Sequence, residues 1–455
     1  MSRMGVEDRS AAIESGLARA LARVGLALPE SLARLTGGAT MESWRFSSGG
    51  EDFVLRRAPS AAMMEGRAIG HDTEAAVIRA VHARGVRAPE VVVELEESDG
   101  LGTGFVMRAL PGTADPRTIL ADNEDDVTAF DLCADIAIEL AEIHRTPLES
   151  LPDLPRLDPK DGVEGLREQF EEAGGDRPVV ALALRWLQDN LPSPIEPVLV
   201  HGDYRLGNLL VEGDALTGVL DWELAHLGDH HEDLAYGCMT VWRFSRPDRP
   251  AYGLATLGDI SIEYASLYGR EVDPDRFRWW LVYRTCWWAL GCWKMGATWR
   301  EGTDRTLERA IISRRTSEQE LDLLMLLEEI APEAERKREL PVGAPVETPE
   351  GEAGAGELAV AISEWLATVK DRMEGHDRFQ HAVARNALGI IARDYVAQVD
   401  VRDAELARAL IDGGVTLAEP GLLARLKRTA LDKLTVDTPK YPALALARRK
   451  WTGEE

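Results

Sequence analysis

Basic runs, paired cysteines and long apolar stretches are all missing from this chain of 455 residues. A formal net charge of −26 would repel a nucleic-acid backbone, and no cluster of Lys and Arg of useful length offsets it. Cys133, Cys238, Cys286 and Cys292 form no CxxC pair and lie among apolar residues. They read as buried free thiols in a reducing compartment rather than as a disulfide framework. No segment approaches the ~20 apolar residues that span a bilayer, and the opening MSRMGVEDRS lacks the apolar centre of a signal peptide. The expectation is a cytoplasmic protein with neither a nucleic-acid partner nor a membrane span. What is present is an ordinary apolar fraction of 45% and enough length for two or three domains.

The chemistry concentrates in residues 198–239, VLVHGDYRLGNLLVEGDALTGVLDWELAHLGDHHEDLAYGCM. A short apolar run, Val198 to Val200, delivers His201, Gly202 and Asp203 into a loop. Asn208 follows, and a second apolar run ends on Asp221. Phosphoryl transfer needs a carboxylate beside the acceptor hydroxyl and oxygen ligands that hold magnesium against the nucleotide phosphates. Asp203 suits the first task, Asn208 and Asp221 the second, because magnesium prefers a few hard oxygen ligands. Strands flanking a turn at Glu212 to Asp214 would return Asp221 to the side of Asn208.

HGDYRLGN resembles the catalytic loop of the aminoglycoside phosphotransferase and choline kinase branch of the protein-kinase-like fold. DWE at 221–223 resembles the DFG variant of that branch, and DLA at 233–235 the segment whose aspartate braces the catalytic loop. HGDYRLGNLLV followed by GVLDWELAHLGD is most similar to the kinase half of acyl-CoA dehydrogenase fusions. The resemblance implies an α+β bilobal fold, with a small five-stranded antiparallel N-lobe and a mostly helical C-lobe. It also implies ATP and Mg2+ as cofactors and a small-molecule alcohol as acceptor, with a hydroxyacyl thioester favoured over an aminoglycoside. By position, Gly37 and Gly38 would cover the nucleotide phosphates, although the loop is not GxGxxG. Arg56 stands where kinases carry a phosphate-binding lysine, with Arg57 as a substitute, and Glu74 where the partner glutamate stands. Backbone at Met107 to Ala109 would meet the adenine edge, with a plain edge strand as the competing reading. No APE-type segment follows Asp221, which argues against a protein kinase. A fold that has kept nucleotide binding and lost catalysis is the other alternative.

Along the chain, apolar spacing predicts a helix over 11–25, strands over 35–46 and 53–57 joined at Gly49 and Gly50, and a helix over 69–84. Alternation puts Phe53 and Leu55 on one face of the second strand, Val54 and Arg56 on the other. Two further strands complete an N-lobe over 1–111 with its leading helix. A helical C-lobe over 112–334 holds the catalytic and metal loops, and its six tryptophans between 277 and 299 read as a core seam or as a substrate-facing aromatic wall. His226, Asp229, His230 and His231 do not read as a zinc site, since adjacent histidines rarely converge on one ion. Glu223 is open between a partner of the metal ligands and a solvated charge. Residues 335–357 read as an exposed linker. Residues 358–455 form an all-helical accessory domain without a chemical constellation, where a homodimer or partner contact is the candidate role. Its first stripe is Leu358, Ile362, Trp365, Leu366, Val369 and Met373.

Overall fold

Period-two alternation of apolar residues builds a five-stranded antiparallel sheet near the N-terminus. The strands are β1 (Glu30–Arg34), β2 (Glu42–Ser48), β3 (Glu51–Ala58), β4 (Val91–Glu94) and β5 (Thr103–Arg108), in the order β1-β2-β3-β5-β4. Phe53 and Leu55 are fully buried with Trp44 and Phe46, whereas Val54 and Arg56 on the opposite face are half-buried. The helix Arg3–Arg23 lays Ile13, Leu17, Ala20 and Leu21 against this sheet, and Val93, Leu101 and Val106 close the same core. The leading helix therefore belongs to the sheet's own core.

This computed structural model describes residues 3–35, 41–343 and 351–453. The expected phosphate-loop residues Gly37 and Gly38 lie outside the described residues. The strand expected over 35–46 begins only at Glu42, and β1 precedes it. β1 is polar and mostly exposed, with a register break between Glu30 and Ala33, so no alternation marks it. β5 pairs with β3 on one side and β4 on the other, which removes the edge-strand reading of 103–108.

After the sheet, Asp125 caps the helix Asp126–His144, accepting from the backbone of Val127 and Thr128, as a short acceptor side chain at an N-cap should. Four short strands follow: β6 (Val198–Val200), β7 (Leu209–Glu212), β8 (Ala215–Val219) and β9 (His226–Gly228), paired antiparallel as β6 with β9 and β7 with β8. Thr113 and Val211 exchange two backbone bonds of 2.9 Å, which ties the chain leaving β5 to the β7–β8 hairpin. The helices His230–Gly237 and Leu257–Tyr268 complete this part.

The chain divides into two units by contact. One holds Met1–Asp158, Ile195–Cys238 and Asp248–Pro274, the other Pro159–Pro194, Met239–Pro247 and Asp275–Glu455. Segments expected as one C-lobe are thus shared between both units, and those expected as linker and accessory domain fall in the second. That unit is helical among its described residues. In its helix Pro274–Glu301, Trp279, Trp280 and Cys286 are buried and Trp279 stacks on Tyr283 with centroids 5.4 Å apart, a packing seam. The helix Ala355–Thr368 differs from its expected packing face. It turns Gly356 and Ala359 inward and leaves Leu358, Ile362 and Trp365 exposed, because Gly356 and Ala359 are small enough for close approach. All four cysteines are buried and outside any disulfide.

Candidate active site

β6 ends on a tight loop that carries His201, Gly202 and Asp203. Gly202 has φ +83°, and a side chain there would strike the carbonyl of Leu224, 2.5 Å from its Cβ. Only glycine allows the loop to lie so close to the segment after Asp221. His201 makes the second tie. Its Nδ1 accepts from the Asp203 amide at 3.2 Å and its Nε2 donates to the Leu220 carbonyl at 3.1 Å. Burial lowers the pKa of His201, so the ring is neutral and carries its proton on Nε2.

Asp233 holds the same loop from behind. Its carboxylate accepts from the His201 amide at 2.7 Å, the Gly202 amide at 2.8 Å and His144 Nε2 at 3.2 Å. Burial opposes its charge, but the His144 hydrogen bond and the nearby His144 and His201 rings outweigh that and bring it down to about 2. His144 in turn pairs its Nδ1 with the Tyr264 hydroxyl at 2.7 Å.

Asn208 comes next to Asp203 through its side chain. Its Nδ2 donates to the Asp203 carbonyl at 3.0 Å and to Oδ2 at 2.5 Å. Its carbonyl accepts from the Leu220 amide at 2.8 Å, so the residue before Asp221 is bonded to Asn208 itself. Asp221 sits at φ +68°, a left-handed backbone that costs a non-glycine residue energy and that Asp tolerates better than most. Asp203, Asn208 and Asp221 are brought into one neighbourhood by these links.

Across from them, Arg56 reaches from β3. Its Nη2 lies 2.6 Å from Asp221 and 2.7 Å from Glu223, and its Nε 3.1 Å from Glu74. Arg67 adds a second guanidinium, 2.8 Å from Glu223. Burial pushes the Glu74 carboxyl up to about 7; Arg56 opposes this, while the charges of Asp221 and Glu223 add to it. Burial also raises Glu223, helped by Asp221. Arg57 points the other way and has its Nε 3.5 Å from Glu42. Met107 lies in the β5 ladder opposite Val54 and Val91, and the Ala109 amide donates to the Asp52 carbonyl at 2.9 Å. That amide is therefore spent within the sheet.

Asp229, His230 and His231 place ligand-type atoms within 4.8 Å of one another. Asp229 is the cap of the helix His230–Gly237, accepting from the His231 amide at 3.0 Å and from its Nδ1 at 2.8 Å. His231 Nε2 accepts from the Asp273 amide at 3.0 Å, so both of its ring nitrogens are engaged, and Asp229 and His231 serve the helix cap.

Several of these residues escaped the sequence. The tie made by His201, and the shared grip of Glu223 and Arg67, involve partners distant in the chain. The sequence left Glu223 open between a partner of the metal ligands and a solvated charge, and the structure pairs it with Arg56 and Arg67.

With the geometry established, likeness to known proteins is informative. The model of the phosphotransferase enzyme family matches residues 31–270, more than half of the chain, and the chain belongs to that family. A domain of unknown function, DUF6285, matches residues 371–441. Acyl-CoA dehydrogenase family member 10 from Mus musculus is 28% identical over 230 residues, 47% of this chain and 21% of that protein. Family member 11 from Gallus gallus is 29% identical over 221 residues, 45% and 27% of the two. The chain thus spans about a quarter or less of either relative. The crystal structure of a Ralstonia eutropha protein assigned as an aminoglycoside phosphotransferase superposes with a TM-score of 0.54 at 19% identity, covering 69% of this chain and 98% of that one. The fold is the α+β kinase-like fold, with a five-stranded antiparallel sheet, a helical remainder and an added C-terminal helical region. No helix among the described residues is long and apolar enough to cross a membrane.

Proposed function

We propose that the chain is an ATP- and magnesium-dependent small-molecule kinase that transfers the γ-phosphoryl group to a hydroxyl. The observation that carries this reading is the gathering of Asp203, Asn208 and Asp221 by Gly202, His201 and Asp233 into one neighbourhood. Asp203 orients the acceptor hydroxyl and takes its proton. As the oxygen–phosphorus bond forms, the bond from the γ-phosphorus to the bridging oxygen breaks and ADP leaves.

Asn208 and Asp221 are the proposed metal ligands. The donor set fits magnesium: one carboxylate, plus an amide oxygen with no hydrogen bond among the described residues once its nitrogen serves Asp203. The chemistry such an ion supplies is neutralisation of phosphate charge. Arg56, oriented by Glu74, steadies the nucleotide phosphates in this reading, with backbone near Met107 and Ala109 toward the adenine and Gly37 and Gly38 over the phosphates. Because the Ala109 amide is engaged, its carbonyl is the group left to face the base. The relatives' names, which carry acyl-CoA chemistry, support a hydroxyacyl thioester as acceptor.

Asp203→Asn should lower ATP-dependent phosphorylation of an acceptor by ~10²–10⁴-fold, the usual contribution of a general base, while ATP still binds in calorimetry. Undiminished turnover would refute the assignment. The ion pair between Arg56 and Asp221 favours one rival, a nucleotide-binding protein without catalysis. Binding of Mg·ATP with no transfer to any alcohol in a metabolite panel would select that rival.

A further inference from the structure

Arg205 stands two residues after Asp203 and has no part in the reaction as proposed above. Its Nε donates to Asp203 Oδ1 at 2.9 Å, its Nη2 approaches Oδ2 at 3.4 Å, and its Nη1 donates to the Leu206 carbonyl at 3.1 Å. The side chain is 22% exposed and Asp203 14%, so this is no loose surface pair. Asp203 Oδ2 is held in addition by Asn208. Both carboxylate oxygens are therefore engaged by donors from the same loop. A planar guanidinium that addresses both oxygens fixes the tilt of the carboxylate as well as its charge, which a point-like ammonium does not.

Gly207 makes the seat for that guanidinium. Its φ is +107°, and a Cβ built on it would fall 2.5 Å from Arg205 Nη1. A side chain there would require the guanidinium to shift from this position and would strain the backbone as well. Thus Arg205, Gly207 and Asn208 act on one carboxylate from three positions of the RLGN stretch.

We propose that Arg205, seated in the space left by Gly207, is a positioning residue that sets the orientation of the Asp203 carboxylate toward the acceptor hydroxyl. This rests on the kinase reading above. Misplacement of a reacting group by about an ångström costs ~10²-fold in rate. Loss of Arg205 should therefore appear in kcat and leave nucleotide affinity alone.

The test compares Arg205→Gln, Arg205→Lys and Gly207→Ala in steady-state phosphoryl transfer, with ATP affinity from calorimetry and melting curves to show that each is folded. Arg205→Gln should lower kcat ~10–100-fold with the Kd for ATP within about twofold, and Arg205→Lys should recover little of that loss. Gly207→Ala keeps the arginine and its charge and should still lower kcat. Wild-type kcat in Arg205→Lys would overturn the proposal, since charge alone would then suffice. So would a weakened ATP affinity with kcat unchanged, which would make Arg205 a nucleotide contact. If one variant fails to fold, the other two still decide. A wild-type chain that transfers no phosphoryl group brings down the kinase reading and this proposal with it; an active wild type matched by all three variants brings down this proposal alone.

Discussion

Buried charge is arranged differently in the two units of the chain. In the first, Arg56 is shared by Glu74, Asp221 and Glu223, and Arg67 joins it on Glu223. Two cations thus face three carboxylates. In the second, Arg177 pairs with Glu320 and Arg315 with Glu318, while Lys427 and Lys450 grip Glu328. Arg314 and Lys433 together meet Asp394 and Asp437. Asp322 accepts from the Tyr441 hydroxyl and is pushed up by burial to about 7, with the charge of Arg243 opposing. Charges there are matched by a cation or carried close to neutral. Desolvation is costly in both places; the first cluster holds one more carboxylate than cation, and burial leaves Glu74 near neutral as it does Asp322.

The comparison can be broken most directly by removing one carboxylate from each unit. Glu320→Gln leaves Arg177 buried without its ion-pair partner, and should cost ~3–5 kcal/mol in urea denaturation; a loss below 1 kcal/mol would show that the pair is not structural. Asp221→Asn should behave otherwise, since it leaves two cations against two carboxylates. Its melting temperature without ligand should stay close to wild type. The stabilisation that Mg·ATP brings, about 2.7 kcal/mol at a hundredfold excess over Kd, should vanish. A strongly destabilised Asp221→Asn would make the first cluster structural as well.

A smaller effect sharpens the contrast from the side of neutral groups. His230 packs beside Tyr268, His231, Tyr264 and His144 with neither ring nitrogen bonded. Burial, with the neighbouring histidines, lowers it to about 2. A folded pKa below the unfolded value of ~6.5 means stability that is present above pH 6.5 and lost as pH falls from there toward 2. The stability of wild type relative to His230→Phe should therefore decline by up to about 1.4 kcal/mol per pH unit on acidification below 6.5, read from melting curves between pH 7 and 5. A pH-independent difference would mean that the ring is solvated or charged in the fold.

Much of the candidate site was legible because its chemistry is local in sequence. Asp203 and Asn208 share one loop, and the hairpin that returns the chain to Asp221 is signalled by apolar runs and a turn. Alternation likewise put Phe53 and Leu55 inside and Arg56 on the other face of β3. Illegible were the features whose cause lies across the chain. β1 is polar and irregular, with nothing to mark it. The stripe of Leu358, Ile362 and Trp365 has helical spacing, but spacing cannot tell a packed face from an exposed one when Gly356 and Ala359 offer a closer approach. His144 ends an ordinary helix, and its bond to Asp233 follows only from where that helix packs.

Residue types and their intervals in the chain were sufficient for the family, the kinase-like fold and the candidate trio, since hydrogen-bonded loops and hairpins obey short-range rules. Tertiary structure alone decided how the charges share partners: Arg56 over Asp221 and Glu223 as well as Glu74, Arg67 on Glu223, and Arg205 over both oxygens of Asp203. Electrostatic and packing energies depend on distance in space and on exclusion of water, and neither quantity is written in the order of the residues.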